Sequence, residues 1–225
     1  MMRVAITRAL PEAERTAARL RELGAQPVLA PLLSIVPCAF DTSTEGAQAL
    51  IFTSSNGVRA FPDVRGARDR IVLAVGDTTA EAARAAGFND VRSADGDVAS
   101  LAALAVATLN PAAGKVIHIG GEHLAGDLAG LLQSAGFQIE RRIAYSAQAA
   151  TTLPPAFSEP LDAVLFHSGR AAATFVALGA PRAEKLTAAC FSAAIAAEAE
   201  KVRWKRVIVA PEPREEAFLS ALLQG

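Results

Sequence analysis

Residues 51–61, with the sequence IFTSSNGVRAF, are the stretch from which the fold of this chain can be inferred. The first two residues are apolar, the next five are small or polar, and the last four favour a helix. This order is typical of a buried strand that ends in a tight turn and a helix N-terminus. Backbone N–H groups at such a turn lack helical partners, and the helix dipole adds partial positive charge. We therefore expect an anion-binding corner here.

The same pattern recurs at residues 165–175, with the sequence LFHSGRAAATF. Phe52 aligns with Phe166 and Ser54 with Ser168, and no gap is needed between them. A chain that builds this corner twice is expected to use it twice.

Other segments are repeated as well. Val4 aligns with Val116. The two repeated segments begin at these residues and end at Gly24 and Gly136. Residues 189–192 correspond to 74–76, and residues 207–210 correspond to 91–94. Each half reads as a βαβαβα series, which predicts an α/β fold with parallel sheets flanked by helices. Ligands of such sheets bind beyond the carboxyl ends of the strands, where the strand order switches.

Composition excludes several classes of protein. The net charge of −1 over 225 residues provides no basic surface for nucleic acid. No apolar run approaches the roughly 20 residues of a membrane span, and residues 1–8 read as a strand and not as a signal peptide. Cys38 and Cys190 stand alone, which argues against a disulfide or zinc framework and favours the cytoplasm.

The segments between the corners give further expectations. Residues 11–23 read as a helix, and Gly24 suits its C′ position. Residues 26–37 contain three prolines, which exclude a helix and a central strand, so we expect an exposed, extended connector between two domains. Residues 138–146 alternate and are predicted to form the return crossing. Residues 116–119 read as a strand, Gly120 and Gly121 as a turn, and residues 124–135 as a helix.

Candidate ligand-binding residues follow the predicted strands and are small, hydroxylic, amide or glycine. They are Thr7, Thr53, Ser54, Ser55, Asn56, Gly76, Thr78, Thr79, Gly120, Gly121, Ser168 and Ser192. Each of them could instead serve only as a helix cap, because Ser, Thr and Asn are favoured there in any case. Repetition of the set in two halves favours anion binding.

Charged and aromatic candidates are fewer. Arg8 follows the first strand and could hold a ligand carboxylate or form a surface ion pair. His123 and His167 lie at corners, whereas His118, inside an apolar strand, reads as a satisfied core residue. Trp204 reads as packing. Tyr145 is the single tyrosine of the chain and either covers the return crossing or presents its phenol to a cleft.

Stronger signatures of chemistry are missing from the sequence. No Gly-x-Gly-x-x-Gly follows a strand, and there is no Walker A loop, Gly-x-Ser-x-Gly elbow or paired metal-ligand spacing. No base lies beside Ser54 or Ser168 in the sequence, so no activated nucleophile is indicated.

Taken together, these segments resemble the uroporphyrinogen-III synthase family over essentially the whole chain. The matching pieces are residues 4–8, 24–25 and 31, 52–58, 74–80, Tyr145, 162–168 and 207–210. The resemblance implies two flavodoxin-like α/β domains joined by a two-stranded β-ladder. It places residues 1–33 and 149–225 in the first domain and residues 39–142 in the second, with crossings at 34–38 and 143–148.

The resemblance also implies a reaction. Hydroxymethylbilane, a linear tetrapyrrole of haem biosynthesis, would close to uroporphyrinogen III with loss of water and inversion of ring D. The enzyme would be a monomeric, cytoplasmic, cyclising hydro-lyase without cofactor or metal, and without nucleic acid or membrane partners. The corners of both domains would face one cleft and hold the substrate's carboxylates, mainly through backbone N–H groups.

Tyr145 matches the family's tyrosine in the second crossing, and it is our candidate donor to the departing hydroxyl. A free phenol titrates near 10 and is protonated at neutral pH. The chain departs from the family pattern at residues 122–123 and 169–170, where the turns differ, which leaves residue-level contacts at these turns open.

Two other readings remain open from the residues alone. A two-domain binding protein that closes on an anionic small molecule would have the same architecture, and the lack of a catalytic dyad favours it. A flavodoxin-like domain could hold a phosphate or FMN in residues 53–57, but the scarcity of Trp and Tyr for stacking argues against a flavin.

Overall fold

The computed structural model describes residues 1–61, 64–124, 126–212 and 214–224. It divides into two compact units, of which the first comprises Met1–Ser34 with Gln148–Gly225 and the second Ile35–Ala147. Among the described residues, no helix is both long and apolar enough to cross a membrane.

The strands are β1 (Arg3–Ile6), β2 (Gln26–Leu29), β3 (Leu33–Pro37), β4 (Ala47–Phe52), β5 (Ile71–Ala74), β6 (Asp90–Ser93), β7 (Lys115–Gly121), β8 (Ile139–Ala149), β9 (Ala163–Phe166), β10 (Thr187–Cys190) and β11 (Arg206–Val209). The helices are α1 (Glu12–Glu22), α2 (Ser55–Ala60), α3 (Asp77–Ala86), α4 (Val98–Thr108), α5 (Leu128–Ser134), α6 (Gly169–Ala177), α7 (Ala193–Ala199) and α8 (Glu215–Gln224).

The first unit is built on a five-stranded sheet with the order β11-β10-β9-β1-β2. Its paired strands are parallel, and two separate apolar clusters cover its two faces. Because both faces are covered, the central strand β9 is buried along its whole length and reads as the continuous apolar run AVLF. The chain leaves β1 for β2 on one side and later returns to β9 on the other, so the strand order switches between β1 and β9.

The second unit contains a six-stranded sheet with the order β3-β8-β7-β4-β5-β6. Within the run β8-β7-β4-β5-β6, each strand is parallel to the next. Two apolar clusters lie on this sheet, one of which includes Phe52 and Ile117 and the other Ile51 and Leu132. Strand order switches between β4 and β7, because the chain leaves β4 toward β5 and β6 and returns to β7.

The two sheets have the same spatial order. The run β2-β1-β9-β10-β11 of the first unit corresponds to β8-β7-β4-β5-β6 of the second. Each sequence repeat therefore falls on matching strands: the Val4 and Val116 segments are β1 and β7, and the Phe52 and Phe166 segments are β4 and β9. The predicted α/β fold with two flavodoxin-like parallel sheets is confirmed. The order is 2-1-3-4-5 along the chain in the first unit, and the second unit has the same spatial order in the circularly permuted form 5-4-1-2-3.

Helix α1 shows how local chemistry sets an element. Pro11 precedes the first turn, and Glu12 and Glu14 lie at the positive end of the helix dipole. Gly24 follows the end of the helix with a φ of +79°. The helix predicted at residues 11–23 is therefore confirmed to within one residue at each end.

The connector predicted at residues 26–37 is wrong in part. Neither a helix nor a central strand forms there, as expected, but the segment makes two edge strands and not an exposed linker. β2 lies at the edge of the first sheet and β3 at the edge of the second. An edge strand bonds on one side only, so it tolerates the missing N–H of Pro27 or Pro37.

Of residues 138–146, predicted as a crossing, all but Gln138 belong to the long strand β8, which pairs with β7 on one side and β3 on the other. The amide of Cys38 donates to the carbonyl of Ala144 and that of Ala150 to Leu32, at 2.9 Å each. Residue numbers rise from Leu32 to Cys38 while those of their partners fall from Ala150 to Ala144, so β3 and β8 run antiparallel.

The turn predicted at Gly120 and Gly121 is also wrong. Both glycines belong to β7, where they pair with Ile143 and Tyr145 of β8. Helix α5 begins only at Leu128, because Asp127 caps it by accepting from the amide of Gly130 at 2.8 Å. His123 therefore lies before a helix and not at its start, and Ala125 lies outside the described residues.

Candidate functional site

A cavity of about 450 Å³ in the second unit lies beyond the carboxyl ends of its strands. Thr53 and Val75 directly follow β4 and β5, His118 and Tyr145 come from β7 and β8, and residues 96–99 open α4. The cavity therefore lies beside the switch between β4 and β7, where open α/β sheets bind ligands. The described residues that line it are Thr53, Val75, Gly96, Asp97, Val98, Ala99, His118, His123, Leu124, Gly126, Leu128 and Tyr145.

The polar pair Thr53 and His118 lies in the wall of this cavity. The Oγ1 atom of Thr53 is 3.0 Å from the Nε2 atom of His118, whose side chain is buried, with the residue 1 % exposed. Burial, followed by the charge of Arg141, lowers the pKa of His118 to about 4, so the imidazole is neutral at pH 7. The expectation of a satisfied core histidine is confirmed.

Tyr145 is half-buried and lines the same cavity. Its ring packs directly over Gly121, where an added Cβ would lie 2.8 Å from Cε2 and Cζ and 3.0 Å from the phenolic oxygen. At Gly120 an added Cβ would lie 2.9 Å from Nε2 of His118. The two glycines at the end of β7 therefore provide the space that Tyr145 and His118 occupy.

The start of α4 forms another part of the lining. Asp97 caps the helix by accepting from the amide of Ser100 at 2.9 Å and from its hydroxyl at 3.2 Å. These two hydrogen bonds lower the pKa of Asp97. An ionised carboxylate at this helix end opposes the binding of a second one beside it. Residues 96–99 were not among the predicted site residues, although their position after β6 follows the rule that identified the other corners.

The corner after β4 is occupied by its own hydrogen bonds. Ser54 caps α2 by accepting from the amide of Asn56 at 3.1 Å. Nη2 of Arg59 donates to Ser55 Oγ at 3.1 Å and to Asn56 Oδ1 at 2.6 Å. Of the predicted residues in this corner, Thr53 alone lines the cavity. The guanidinium of Arg59 was missed, since its spacing to Ser55 and Asn56 has meaning only once the helix is known.

Other predicted residues lie outside the cavity. Gly76 precedes α3 as its N-cap residue, Thr78 is exposed, and Thr79 is buried. Ser168 and Ser192 cap α6 and α7, accepting from the amides of Ala171 at 3.2 Å and Ile195 at 3.4 Å. Their hydroxyls have the capping role that was the alternative reading.

In the first unit, Thr7 and Arg8 follow β1 at the switch beside β9. Thr7 is fully buried and its hydroxyl donates to the carbonyl of Leu165 at 2.6 Å, so this side chain is unavailable to a ligand. Nη1 of Arg8 lies 3.3 Å from Thr16 Oγ1 and 3.7 Å from Glu215 Oε2. Arg8 thus takes part in an ion pair, as its second reading proposed.

His167 belongs to this same polar cluster and was not assigned a partner from the sequence. Its Nε2 atom lies 3.0 Å from Oε2 of Glu215, and Thr16 donates to the other carboxylate oxygen at 2.6 Å. Burial is the largest single influence on the pKa of Glu215 and would raise it. The hydrogen bond and charge of His167, the hydrogen bond from Thr16 and the charge of Arg8 together outweigh burial, and the pKa falls to about 2. Burial lowers the pKa of His167 in spite of that carboxylate. His167 is a buried structural partner, packed against Phe191 and Phe218.

No group of His, Cys, Asp and Glu side chains that could hold a metal ion occurs within the part of the chain that the structure describes. The described polar groups of the cavity are thus a hydroxyl, two imidazoles, a phenol and one carboxylate, together with backbone amides.

Comparison with known proteins identifies relatives of the chain. The family model described as uroporphyrinogen-III synthase HemD matches residues 14–220. The solved uroporphyrinogen-III synthetase of Helicobacter pylori is 15 % identical, with a TM-score of 0.69 over 100 % of this chain and 99 % of that one. A mutant uroporphyrinogen III synthase of Thermus thermophilus is 18 % identical, with a TM-score of 0.57 over 100 % and 98 %. At these identities the two structures establish a shared fold. No curated protein matches the chain significantly.

Proposed function

Because the chain belongs to the uroporphyrinogen-III synthase family, we propose that the cavity beside the β4–β7 switch is where it binds the reacting end of its substrate. The enzyme cyclises hydroxymethylbilane to uroporphyrinogen III in tetrapyrrole biosynthesis. The position of Tyr145 carries the proposal, because it brings a phenol into a cavity at the edge where such sheets bind ligands.

Tyr145 is the hydrogen-bond donor that fits the first step best. Four of the described cavity residues carry titratable side chains. Asp97 is ionised and occupied as a cap, His118 is buried and neutral, and His123 stands at the rim with its side chain 59 % exposed. This leaves the phenol of Tyr145 as a donor that is both inside the cavity and held in place by close packing on Gly121.

The proposed step begins when the hydroxymethyl group of the bilane loses its hydroxyl, which leaves as water together with the N–H proton of the pyrrole ring that carries the group. Tyr145 donates a hydrogen bond to the departing oxygen and thereby stabilises the charge that develops on it. The ring left behind is a reactive azafulvene. The substituted carbon of pyrrole ring D attacks its exocyclic carbon, and a spiro intermediate forms. Ring opening and reclosure then invert ring D. The cavity holds the reacting carbons close together, and such positioning lowers a barrier by several kcal/mol.

The substrate's carboxylates need binding groups of their own. We propose that Thr53 in the cavity, together with backbone N–H groups at the corners, binds them. The remaining corner residues in this proposal are Arg8, Ser54, Ser55, Asn56, Gly76, Thr78, Thr79, Gly120, Gly121, His123, Ser168 and Ser192. Thr7 is left out because its side chain is fully buried and bonded to Leu165.

Other features of the proposal concern the whole chain. We propose that it acts as a monomer in the cytoplasm and that residues 34–38 and 143–148 link the two units. The free thiols of Cys38 and Cys190 fit a reducing compartment. Light scattering during size-exclusion chromatography tests the monomer directly.

The decisive experiment supplies freshly prepared hydroxymethylbilane and identifies the isomer of the oxidised product. Wild-type protein is expected to give the type III isomer. In Tyr145→Phe, kcat is expected to fall at least ten-fold, about 1.4 kcal/mol of transition-state stabilisation, with an unchanged melting temperature.

Ser134→Ala is the matched control, because it removes an exposed hydroxyl at the end of α5, away from the cavity lining. It is expected to retain full activity. A Tyr145→Phe enzyme with a normal kcat would remove Tyr145 from the mechanism, and formation of the type I isomer alone would overturn the proposed function.

A further inference from the structure

His118 is an unexpected residue in the middle of β7. Its neighbours in the strand, Val116, Ile117 and Ile119, are fully buried and apolar. An apolar residue at position 118 would avoid the free-energy cost of burying an imidazole. The polar contact that the structure gives His118 is the 3.0 Å hydrogen bond to Thr53, whose hydroxyl belongs to the cavity wall.

Gly120 supplies a second, independent observation. A Cβ at this position would lie 2.9 Å from Nε2 of His118, which is too close, and 3.4 Å from Oγ1 of Thr53, which is ordinary contact. A side chain here would therefore push the imidazole away from its hydrogen bond with Thr53. A glycine and a buried histidine therefore both serve the placement of one hydroxyl. Neither is required by the sheet, because β-sheets accept apolar side chains at both positions.

We propose that His118 is a positioning residue, whose Nε2–H donates to Oγ1 of Thr53 and thereby directs the proton of Thr53 into the cavity, toward a carboxylate of the tetrapyrrole. A neutral imidazole has one N–H. The direction of its hydrogen bond with Thr53 therefore decides whether the Thr53 hydroxyl presents its proton or its lone pairs to the cavity. If Thr53 donated to His118 instead, its lone pairs would face the cavity and repel a carboxylate.

Burial keeps the imidazole neutral, as its lowered pKa shows. Arg141 lies opposite His118 on β8, and its guanidinium donates to the carbonyls of Gly121 and Glu122 at 2.7 Å each. The positive charge of Arg141 also lowers the pKa of His118, because it disfavours a second positive charge nearby. The inference rests on the proposed function, in which Thr53 binds a substrate carboxylate and Tyr145 serves the departing hydroxyl.

The test is a double-mutant cycle with hydroxymethylbilane, using Thr53→Val, His118→Leu and the double variant. Each single variant is expected to raise KM about ten-fold and to change kcat less than two-fold. The double variant should show the same ten-fold increase and no more, because both changes remove one hydroxyl interaction. Two independent roles would multiply to about a hundred-fold, and that result would overturn the inference.

Two polar replacements test the mechanism without an apolar change in the core. The amide nitrogen of Gln can reach the position of Nε2, whereas that of Asn replaces Nδ1 and falls short of Thr53. His118→Gln is therefore expected to stay within three-fold of the wild-type KM, and His118→Asn to match Thr53→Val. Equal KM values for the Gln and Asn variants, each with a cooperative melting transition, would contradict the inference.

Failure of the proposed function gives a different result. Wild-type protein that yields type I isomer alone would overturn the function and this inference together. Wild-type protein that yields type III, with a slow Tyr145→Phe variant but an unchanged KM in His118→Leu, would overturn the inference and leave the proposed site intact.

Discussion

At the end of β7, two consecutive glycines leave space that is occupied by Tyr145 of the neighbouring strand and by His118 of β7 itself. The sequence predicted a turn here, because a glycine pair usually marks one. Tertiary packing gives these glycines another role, since Gly121 lies beneath Tyr145 and Gly120 beside His118. The packing of Tyr145 on Gly121 cannot be predicted from a single sequence, because β7 and β8 meet only in the folded sheet.

Gly121→Ala tests that role. The new methyl group would lie 2.8 Å from Cε2 and Cζ of Tyr145, so the ring must shift. These are outer atoms of a half-buried side chain, which can move without rearrangement of the core. We expect kcat to fall about ten-fold, while the free energy of unfolding changes by less than about 1 kcal/mol.

Gly66→Ala is the control, because nothing lies within 4 Å of a Cβ at that position. It should behave as wild type in both measurements. Wild-type turnover in Gly121→Ala would show that the ring position does not matter for catalysis.

Residue identity revealed some members of the site and not others. Tyr145 could be singled out because it is the one tyrosine of the chain. The partner of His118 could not, since Thr53 lies 65 positions away, and the same holds for Glu215, which lies 48 positions from His167. Such pairs depend on strand order, which the sequence indicates only in outline.

Helix capping, which the sequence offered as the alternative role of the corner serines, is the role that the structure gives their hydroxyls. Ser54, Asp97, Ser168 and Ser192 all cap helices through bonds to amides two or three residues ahead. These interactions are local, so sequence patterns carry them. The nature of β2, β3 and the end of β7 was mispredicted, because an edge or extended strand is defined by a neighbour far away in the chain.

Ser168 offers a test of the anion-binding corner at α6. Ser168→Ala removes the hydrogen bond to the amide of Ala171 and is expected to lower stability by about 1 kcal/mol. Its KM should stay within two-fold of wild type, because backbone N–H groups are proposed to bind the carboxylate.

Ser168→Asp is the matched variant. Asp is an equally good cap, so stability should be retained, but its charge would occupy the proposed anion site. We expect KM to rise at least five-fold, as measured by initial rates with hydroxymethylbilane. An Asp variant with wild-type KM would mean that no substrate carboxylate binds at this corner.

At the scale of the whole molecule, the chain builds the same five-stranded order twice, from segments that follow each other differently. In the first unit, β1 and β2 come before β9, β10 and β11, whereas in the second unit β4, β5 and β6 come before β7 and β8. The repeats could be found in the sequence because both sheets need the same buried strands and glycine-ended helices. The lining of the cavity could not, since it combines residues in or directly after four strands with residues around the starts of α4 and α5.

The buried imidazoles have a consequence for the acid tolerance of the protein. In the unfolded chain a histidine takes up a proton near pH 6.5, whereas folded His118 resists protonation until about pH 4. Between these values the unfolded state binds more protons, so the free energy of unfolding falls as the pH falls. For His118 the loss approaches roughly 3 kcal/mol, and His167 acts in the same direction.

Urea unfolding at pH 7.0, 5.5 and 4.5 measures this loss. His118→Gln cannot titrate in this range, so its stability should fall less steeply than that of the wild type. Parallel curves for the two proteins would show that His118 is protonated as readily in the fold as outside it. Below pH 4.5 the free energy of unfolding is expected to fall further. Glu215 takes up a proton near pH 4.5 in the unfolded chain but only near pH 2 in the folded protein, so acid favours the unfolded state. The imidazole proposed to aim one hydroxyl thus also limits the protein to near-neutral surroundings.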